Sequence, residues 1–160
     1  MAQVAKALLE TGFDPNRLEL ELTEGVVVAE ADLAERAMTS LPAMGVRMAL
    51  DDFGIGYSSL IYLRRFPFDK IKIDRSFLES LEPKGESLAL LESIVRLGQA
   101  LGLAVTAEGV ETREQLRLLQ RLECDELQGF LLAKPATAAE IGAMLAGAVE
   151  RQDAERLAVA

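Results

Sequence analysis

The chain has 160 residues, 50% of them hydrophobic, with 5 prolines and a formal net charge of −9. This length and apolar content predict one folded domain and exclude a disordered chain. The acidic balance excludes a nucleic-acid polymer as the expected partner, because binding to a phosphate backbone needs clustered Lys and Arg.

No apolar run reaches the ~18 residues of a membrane span. Residues 1–10 also lack the apolar core of a signal peptide. The sequence therefore predicts a soluble protein or a soluble piece of one.

The chain contains no histidine and a single cysteine, Cys124. The lack of histidine excludes Ser-His-Asp and Cys-His catalysis, histidine-rich zinc sites and phosphodiesterases built on His/Asp metal clusters. Acid–base chemistry must then use Asp, Glu, Lys, Tyr or Cys, and a metal site must be rich in oxygen, which favours Mg²⁺, Mn²⁺ or Ca²⁺. Cys124 lies in an apolar run, which favours a buried strand residue over a reactive thiol.

Apolar runs alternate with helical patterns along the chain, which predicts parallel strands joined by helices. The first helix pattern covers residues 2–11, where Val4, Leu8 and Leu9 share a face, and the first strand covers 17–23, where Leu and Glu alternate. The later predicted elements are helix 30–44, strand 46–50, a glycine-containing loop leading into a helix that ends near residue 65, strand 68–73, helix 87–101, strand 103–107, helix 112–122, strand 124–128 and a helix from 137 to about 150 that opens with a capping box.

These patterns amount to five β/α units, which are too few to close an eight-stranded barrel. The predicted fold is therefore α/β, a partial TIM-type barrel in residues 1–150. Residues 151–160 are predicted to be a C-terminal tail.

Polar residues end each of the five predicted strands, where barrel folds place their chemistry. In chain order they are Glu21, Asp51 with Asp52, Lys72, Glu108, and Gln128. The adjacent carboxylates of Asp51 and Asp52 can face one centre only if the backbone turns, and Gly54 and Gly56 permit that turn. Carboxylates at such a corner can share a metal in a two-metal site.

The first three positions also fit purely structural interpretations. Glu21 fits the solvated face of an edge strand, and the two aspartates fit a capped turn. Lys72 alternates with apolar neighbours and should share a face with Lys70 and Asp74. An inward lysine is costly except beside carboxylates or phosphate, so a surface position is the alternative.

The last two positions are equally open on pattern alone. Glu108, with Glu111 close behind it, fits either a general base that takes a proton from water or a pair of acids that caps the helix 112–122. Gln128 and the glycine after it fit an ordinary turn. The convergence of all five positions on strand ends is what predicts a site.

Five motifs carry a family resemblance. They are Glu21-Leu-Thr-Glu24, Asp51-Asp-Phe-Gly-Ile-Gly-Tyr-Ser-Ser-Leu60, Lys72-Ile-Asp74 with Ser76-Phe77, Ala107-Glu-Gly-Val-Glu-Thr112, and Gln128-Gly-Phe130 with Pro135. In this order, over about residues 8–145, they resemble the signatures of the EAL-domain family of bacterial cyclic di-GMP phosphodiesterases. The resemblance implies a modified TIM barrel in a signal-transduction protein. It also implies a metal-dependent hydrolase that opens cyclic di-GMP to linear pGpG, using two magnesium or manganese ions in a complete domain.

The resemblance also implies roles for individual residues. Glu21, Asp51 and Asp52 match metal ligands, whereas Lys72 and Glu108 match the residues that hold and activate the nucleophilic water, with Glu108 as the candidate base. Three further positions match accessory or loop-bracing residues. Glu24 matches the residue that braces loop 51–60, and Glu111 and Gln128 match accessory polar residues.

The chain departs from the family pattern at its start. The Glu-Ala-Leu strand and the early strands that bear a metal-binding glutamate, a metal-binding asparagine and a substrate-contacting arginine have no counterpart, and Ile55 stands where threonine is usual. The chain corresponds to roughly the last two thirds of the domain, so we expect weak activity or none from it alone. Its segments 17–21 and 124–128 would each lack a neighbouring strand, which predicts a homodimer or other self-association through these edges, or closure by strands of a longer molecule.

Three functions remain open on the sequence. The first is an EAL-type phosphodiesterase, compatible with accompanying sensory or GGDEF-type domains and with a cytoplasmic location or the cytoplasmic part of a membrane-anchored protein. The second is a non-catalytic module that binds cyclic di-GMP or a partner protein. The third, an unrelated α/β protein, would require five ordered motif matches to be accidental. The intact carboxylates favour the enzyme.

Overall fold

The fold is a parallel β-sheet with helices between successive strands, seen in a computed structural model that describes residues 1–55, 60–79 and 85–147. The strands are β1 (Glu19–Thr23), β2 (Arg47–Phe53), β3 (Lys70–Ile73), β4 (Ala104–Ala107) and β5 (Glu126–Leu127). Each strand pairs in parallel with the next one along the chain. This sequential order is that of a TIM-type barrel, so the predicted α/β fold with five β/α units is confirmed.

The helices that connect the strands follow the predicted pattern except for two short ones. They are α1 (Ala2–Thr11), a 3₁₀ turn (Pro15–Arg17), α2 (Glu24–Ala29), α3 (Ala31–Ala43), α4 (Leu60–Arg65), α5 (Ser76–Glu79), α6 (Glu86–Leu101), α7 (Arg113–Arg121) and α8 (138–147). No helix within the described residues is long and apolar enough to cross a membrane. The end of the predicted last helix and the predicted tail 151–160 lie outside the described residues.

Two short helices, α2 and α5, were not expected from the pattern. Helix α2 contains a glycine and three valines, which are weak helix formers, so its sequence alone does not favour a helix. Its Val27 is fully buried against the core. Tertiary packing therefore overrides the local preference.

All five predicted strands have different bounds in the structure: β1, β3 and β4 begin later, at residues 19, 70 and 104 instead of 17, 68 and 103. The largest differences are in β2 and β5. Strand β2 continues through the two aspartates to Phe53 instead of ending at residue 50, and β5 has only two residues. The prediction that Cys124 is a buried strand residue is wrong, because it lies before β5, half-buried, with its Sγ 3.2 Å from the Val105 carbonyl oxygen. Burial raises the pKa of its thiol to about 11, which is the behaviour of an unreactive cysteine.

The hydrophobic core lies between one face of the sheet and the helices. Its fully buried side chains include Met48, Leu50, Ile71, Ile73, Val105 and Leu119. In helix α1, Val4 and Leu8 pack on this core, but Leu9 is 86% exposed, so the expected three-residue face is only partly used. The opposite face, here called the inner face, carries the polar residues Glu19, Glu21, Lys70, Lys72, Thr106 and Glu126.

Two aspartates hold the strand starts in register. Asp69, just before β3, accepts a hydrogen bond from the backbone N–H of Met48 at 2.8 Å, and Asp125, just before β5, accepts one from Val105 at 2.8 Å. In both cases the donor is the second residue of the preceding strand. These side chains therefore fix the offset between strands, on which the alignment of the opposite strand ends depends.

Candidate active site

Lys72 is the centre of the polar cluster at the strand ends. Its Nζ lies 2.7 Å from Glu21 Oε1 on β1, 3.4 Å from Asp51 Oδ1 on β2 and 2.6 Å from Glu108 Oε1 after β4. These contacts follow from the pleat, because Glu21 and Lys72 both point to the inner face while their neighbours Leu22 and Ile71 face the other way. The structure thus brings together four of the residues singled out in the sequence.

The surroundings of Lys72 decide between its two interpretations. Its side chain is only 9% exposed, so it is not a surface lysine. Burial opposes its charge, yet hydrogen bonds and charge interactions with Glu108 and Glu21 outweigh burial and raise the pKa of Lys72 above its ordinary value. Lys72 is therefore a fixed cation. Glu21 was interpreted either as a site carboxylate or as part of the solvated face of an edge strand. It has features of both, since it is paired with Lys72 and its side chain is 46% exposed.

The backbone turns at the Asp51-Asp52 corner, as the pairing of two adjacent carboxylates requires. The pairing of β2 with β3 shifts register between Leu50 and Phe53, and Asp52 itself adopts a left-handed conformation with φ 55°. Gly54 follows with φ 96°, and a Cβ there would lie 2.7 Å from the Phe77 ring. The turn therefore begins at Asp52, two residues before Gly54, the first of the two glycines predicted to permit it. The second, Gly56, lies outside the described residues.

Asp52 stands in an excess of negative charge. Burial, followed by the neighbouring Asp51 and Asp74 carboxylates, raises its pKa above the usual value despite the opposing effect of Lys72. Lys72 neutralises at most one of these charges. The donor set consists of carboxylate oxygens, which suits a hard divalent cation such as Mg²⁺ or Mn²⁺.

The carboxylates surround the lysine rather than a ready-made metal position. Within the described residues, no group of three or more acidic or cysteine side chains is already arranged to hold a metal ion. The donor chemistry of Glu21, Asp51 and Asp52 fits a divalent cation. The Lys72 ammonium now lies against two of these carboxylates, those of Glu21 and Asp51.

Glu108 begins a loop that is held on both sides by neighbouring strand ends. Its backbone N–H donates to the Ile73 carbonyl at 3.0 Å, and a Cβ on the following residue, Gly109 (φ 74°), would lie 2.3 Å from Arg75 Cβ. The loop lines a cleft of about 160 Å³ whose walls also include Glu111, Gln128 and Phe130. Two of the three predicted accessory residues, Glu111 and Gln128, therefore lie beside Glu108.

The helix-capping interpretation of Glu108 and Glu111 does not hold. Helix α7 begins with a capping box formed by Thr112 and Gln115, in which the Thr112 hydroxyl accepts a hydrogen bond from the Gln115 backbone at 3.2 Å. Glu108 is instead paired with Lys72, and the side chain of Glu111 is exposed.

Glu24 is the least accommodated charge in the region. It is 4% exposed, and neither carboxylate oxygen has a hydrogen-bond partner among the described residues. The predicted role of Glu24 is to brace the loop 51–60, of which residues 56–59 lie outside the described part of the chain. Its bracing role therefore stays a prediction.

The sequence analysis missed a second ionic cluster, which is centred on Lys70, two residues before Lys72 on β3. Lys70 Nζ lies 2.9 Å from Glu19 on β1 and 2.7 Å from Glu126 on β5, and the Thr106 hydroxyl also donates to Glu126 at 3.1 Å. The alternation that placed Glu21 and Lys72 on the inner face applies equally to Glu19 and Lys70. The period-two alternation therefore contained the signal for this cluster, but site residues were predicted only at the strand ends.

Comparison with known proteins gives the cluster a context. The family model of the EAL domain matches residues 1–135. MucR of Pseudomonas aeruginosa, a bifunctional diguanylate cyclase/cyclic di-GMP phosphodiesterase, is 45% identical over 143 residues, which are 89% of this chain and 21% of MucR. The structure of the MucR phosphodiesterase in complex with cyclic di-GMP matches with a TM-score of 0.82 at 44% identity, covering 88% of this chain and 57% of that chain.

Two further structures agree. The EAL domain of Mycobacterium smegmatis DcpA matches with a TM-score of 0.84 at 40% identity, covering 91% of this chain and 66% of that domain. The manganese/cyclic di-GMP complex of Klebsiella pneumoniae BlrP1 matches with a TM-score of 0.75 at 38% identity, covering 81% of this chain and 33% of that one. The chain spans about a fifth of the length of MucR and less than two thirds of the solved MucR chain. It belongs to the EAL domain family.

Proposed function

We propose that this chain supplies the later β/α units of a cyclic di-GMP phosphodiesterase and that it is weakly active or inactive by itself. The observation that carries the proposal is the contact of one buried lysine, Lys72, with carboxylates from three different strand ends, those of Glu21, Asp51 and Glu108. MucR and NbdA of Pseudomonas aeruginosa, relatives that are 45% and 40% identical, are cyclic di-GMP phosphodiesterases by name.

The residues divide the chemistry between a base and a cation. Glu108 takes a proton from the attacking water, whose oxygen bonds to phosphorus while one ring P–O bond breaks. The ribose oxygen released by this step takes up a proton from solvent, which completes the conversion to linear pGpG. Lys72 holds the Glu108 carboxylate at 2.6 Å and keeps a positive charge beside the reacting phosphate. Glu111 and Gln128 line the same cleft and are suited to polar contacts with the substrate.

Glu21, Asp51 and Asp52 would hold divalent cations, magnesium or manganese, together with ligands from the earlier strands of a complete domain. Bound ions of this kind supply charge neutralisation at a phosphodiester and stabilise its attacking and leaving oxygens. The structures of BlrP1 with cyclic di-GMP contain manganese or calcium, which supports a divalent ion here.

The proposal extends to partners and location. Cyclic di-GMP is the proposed ligand, supported by its complexes with MucR and BlrP1. Self-association, or a homodimer, is proposed through the outer edges of β1 and β5. Sensory or GGDEF-type domains would accompany the chain in a longer protein, as the bifunctional name of MucR suggests. A cytoplasmic location, or the cytoplasmic part of a membrane-anchored protein, fits such a signalling role.

A second function, a non-catalytic cyclic di-GMP-binding or protein-interaction module, is favoured by one observation. The acidic residues within the described part of the chain are not yet grouped around a metal position. A binding module needs the cleft but not the base, so the two functions differ in how they depend on Glu108.

The test compares Glu108→Gln with Glu114→Gln, an exposed control on α7. Both changes are made in the 160-residue chain and in a fusion to the preceding strands of the DcpA EAL domain. With Mn²⁺ present, we expect Glu108→Gln to lower turnover of cyclic di-GMP by about 10²–10⁴-fold, because a general base is worth that much. Binding measured by calorimetry should persist, and Glu114→Gln should match the unchanged protein.

Two outcomes would contradict the enzyme. Near-normal turnover by the Glu108→Gln fusion would assign the base to another group. A fusion that binds cyclic di-GMP without hydrolysing it would favour the binding module.

A further inference from the structure

Gln115 connects the loop after β4 with helix α5, which follows β3. Its Oε1 accepts hydrogen bonds from the backbone N–H groups of Glu111 at 2.8 Å and Thr112 at 2.9 Å. Its Nε2 donates to the carbonyl oxygen of Leu78 in α5 at 3.1 Å. Only one orientation of the side-chain amide satisfies all three partners, since the oxygen must face two donors and the nitrogen must face an acceptor.

The two segments joined in this way follow Lys72 and Glu108 in the sequence. Helix α5 begins three residues after β3 ends and four after Lys72, and the backbone that Gln115 holds on its other side begins three residues after Glu108. The remainder of the Glu108 loop is held by main-chain contacts, since the Glu108 N–H donates to Ile73 and the Val110 N–H donates to Gln128, each at 3.0 Å. Gln115 adds a side-chain contact that joins the end of this loop to α5.

A second helix of the same chain shows what a helix cap alone requires. At the start of α8, Glu140 occupies the same third position of the capping box, and its Oε2 accepts hydrogen bonds from the Thr137 N–H at 2.7 Å and hydroxyl at 2.8 Å. A carboxylate therefore suffices to cap a helix here. The amide nitrogen of Gln115 does something further, which is to bind α5.

We propose that Gln115 is a positioning residue, which fixes the Glu108 loop against the Lys72 side of the sheet and so sets the approach of the Glu108 carboxylate to Lys72. It touches neither residue directly and acts through the Leu78 carbonyl and the Glu111 backbone. The inference rests on the proposed function only for its effect on catalysis. Its structural part concerns the contact between Lys72 and Glu108.

The discriminating variant is Gln115→Glu, because glutamate keeps the two acceptor contacts of the cap and loses the donor to Leu78. A carboxylate oxygen would then face a carbonyl oxygen, and the tether to α5 would open. Gln120→Glu is the matched control, since it adds the same charge to an exposed position of α7. Gln115→Ala removes both the cap and the tether.

The first readout needs no activity and uses the 160-residue chain. The side-chain ammonium of Lys72 is followed by ¹⁵N NMR, in which an ammonium buried among carboxylates gives a slowly exchanging signal. We expect Gln115→Glu to lose this slow exchange while the Glu111 and Thr112 amides stay protected and the Tm stays within a few degrees. Gln120→Glu should keep the signal. A Gln115→Glu protein with an unchanged Lys72 signal would overturn the proposal whether or not the chain is an enzyme.

The second readout is kinetic and uses the DcpA fusion with Mn²⁺ and cyclic di-GMP. We expect Gln115→Glu to lower kcat by about 10- to 100-fold with little change in KM, because a misplacement of about 1 Å costs up to that factor in rate. A rise in KM at constant kcat would assign Gln115 to substrate binding and overturn the positioning role. Loss of turnover in the unchanged fusion would count against the proposed function and leave the NMR result to decide this inference.

Discussion

A lysine whose side chain is 9% exposed is stable as a cation only beside negative charge, and Lys72 has three carboxylates within 3.4 Å. Removing the cation would leave those carboxylates facing one another on the inner face. Lys72 therefore keeps the acidic residues close together in the absence of metal. A divalent cation bound by the same carboxylates would relieve the same repulsion.

At Asp52 the structure predicts a variant that separates folding from metal binding. Asp52→Asn removes a carboxylate whose pKa is raised by burial and by Asp51, and asparagine tolerates the left-handed backbone found there. We expect the Tm of the metal-free protein to stay equal or rise. In the DcpA fusion, which restores the earlier strands, Mn²⁺ at 100 times its Kd should stabilise the protein by about 2.7 kcal/mol, and Asp52→Asn should lose this gain.

The measurement is thermal unfolding with and without Mn²⁺, with Asp32→Asn on α3 as an exposed control. Mn²⁺ stabilisation that survives in Asp52→Asn would remove Asp52 from the metal ligands. A chain that gains no stability from Mn²⁺ at millimolar concentration would show that the earlier strands are required for binding.

Among the elements, the second ionic cluster ties three strands together. Lys70, on β3, forms one ion pair with Glu19 of β1 and another with Glu126 of β5. We expect Lys70→Met to lower the free energy of unfolding by about 2 kcal/mol, below the ~3–5 kcal/mol of a fully buried pair, because Glu126 is half exposed and regains water. Lys6→Met, at an exposed lysine of α1, should change it by less than about 0.5 kcal/mol.

The same cluster predicts a pH dependence. The Lys70 hydrogen bond lowers the pKa of Glu126, so its contribution is present above the unfolded value of about 4.3 and is lost as pH falls through the lowered value. Burial opposes the charge of Lys70, but Glu126 and Glu19 raise its pKa overall, so the loss on the lysine side comes only at strongly alkaline pH. Urea unfolding at pH 7 and pH 3 should show a smaller acid loss in Lys70→Met than in the unchanged chain. An equal loss would assign the acid sensitivity to other carboxylates.

Helix α6 approaches the sheet so closely that one added methyl group should be felt. A Cβ at Gly98 would lie 2.4 Å from Val105 and 3.1 Å from Ile71, both buried in the core. We expect Gly98→Ala to destabilise the fold by about 1–3 kcal/mol through overpacking. Gly142→Ala in α8 meets nothing within 4 Å and should stabilise by about 0.5–1 kcal/mol, the usual gain over glycine in an open helix. Equal denaturation midpoints for the two variants would show that α6 can shift away from the sheet.

At the scale of the whole molecule, the outer edges of the sheet are where we expect association with another chain. Strands β1 and β5 each pair with one strand in the described part of the chain. An apolar groove of about 500 Å³ runs beside β1 and is lined by Val4, Leu8 and Leu20. An unpaired strand edge next to apolar surface invites pairing with another chain.

We predict that the isolated chain self-associates through the β1 edge and this groove. Light scattering over a range of concentrations should show dimers or larger species. Leu8→Lys, inside the groove, should shift the equilibrium toward monomer, whereas Leu9→Lys, on the exposed side of α1, should not. A monomer that persists at high concentration would contradict the prediction, and equal effects of both changes would move the interface elsewhere on α1.

The sequence by itself determined the order of the elements and singled out the residues that the structure brings together around Lys72. The period-two alternation of 17–23 already separates Leu20 and Leu22 from Glu19 and Glu21, and strand ends marked by Asp51, Lys72 and Glu108 converge once the strands are parallel. These signals are local. Each is carried by a handful of consecutive residues, which is the range over which periodicity and turn chemistry act.

Only the tertiary structure decided which partners these residues have. Lys70 binds residues that are 51 and 56 positions away, and Gln115 binds a carbonyl 37 positions away, so neither contact has a local signature. The left-handed backbone of Asp52 likewise depends on how β2 meets β3. Such contacts depend on which strand lies beside which and in what register, and it is the packing of the whole sheet, rather than any single segment, that sets both.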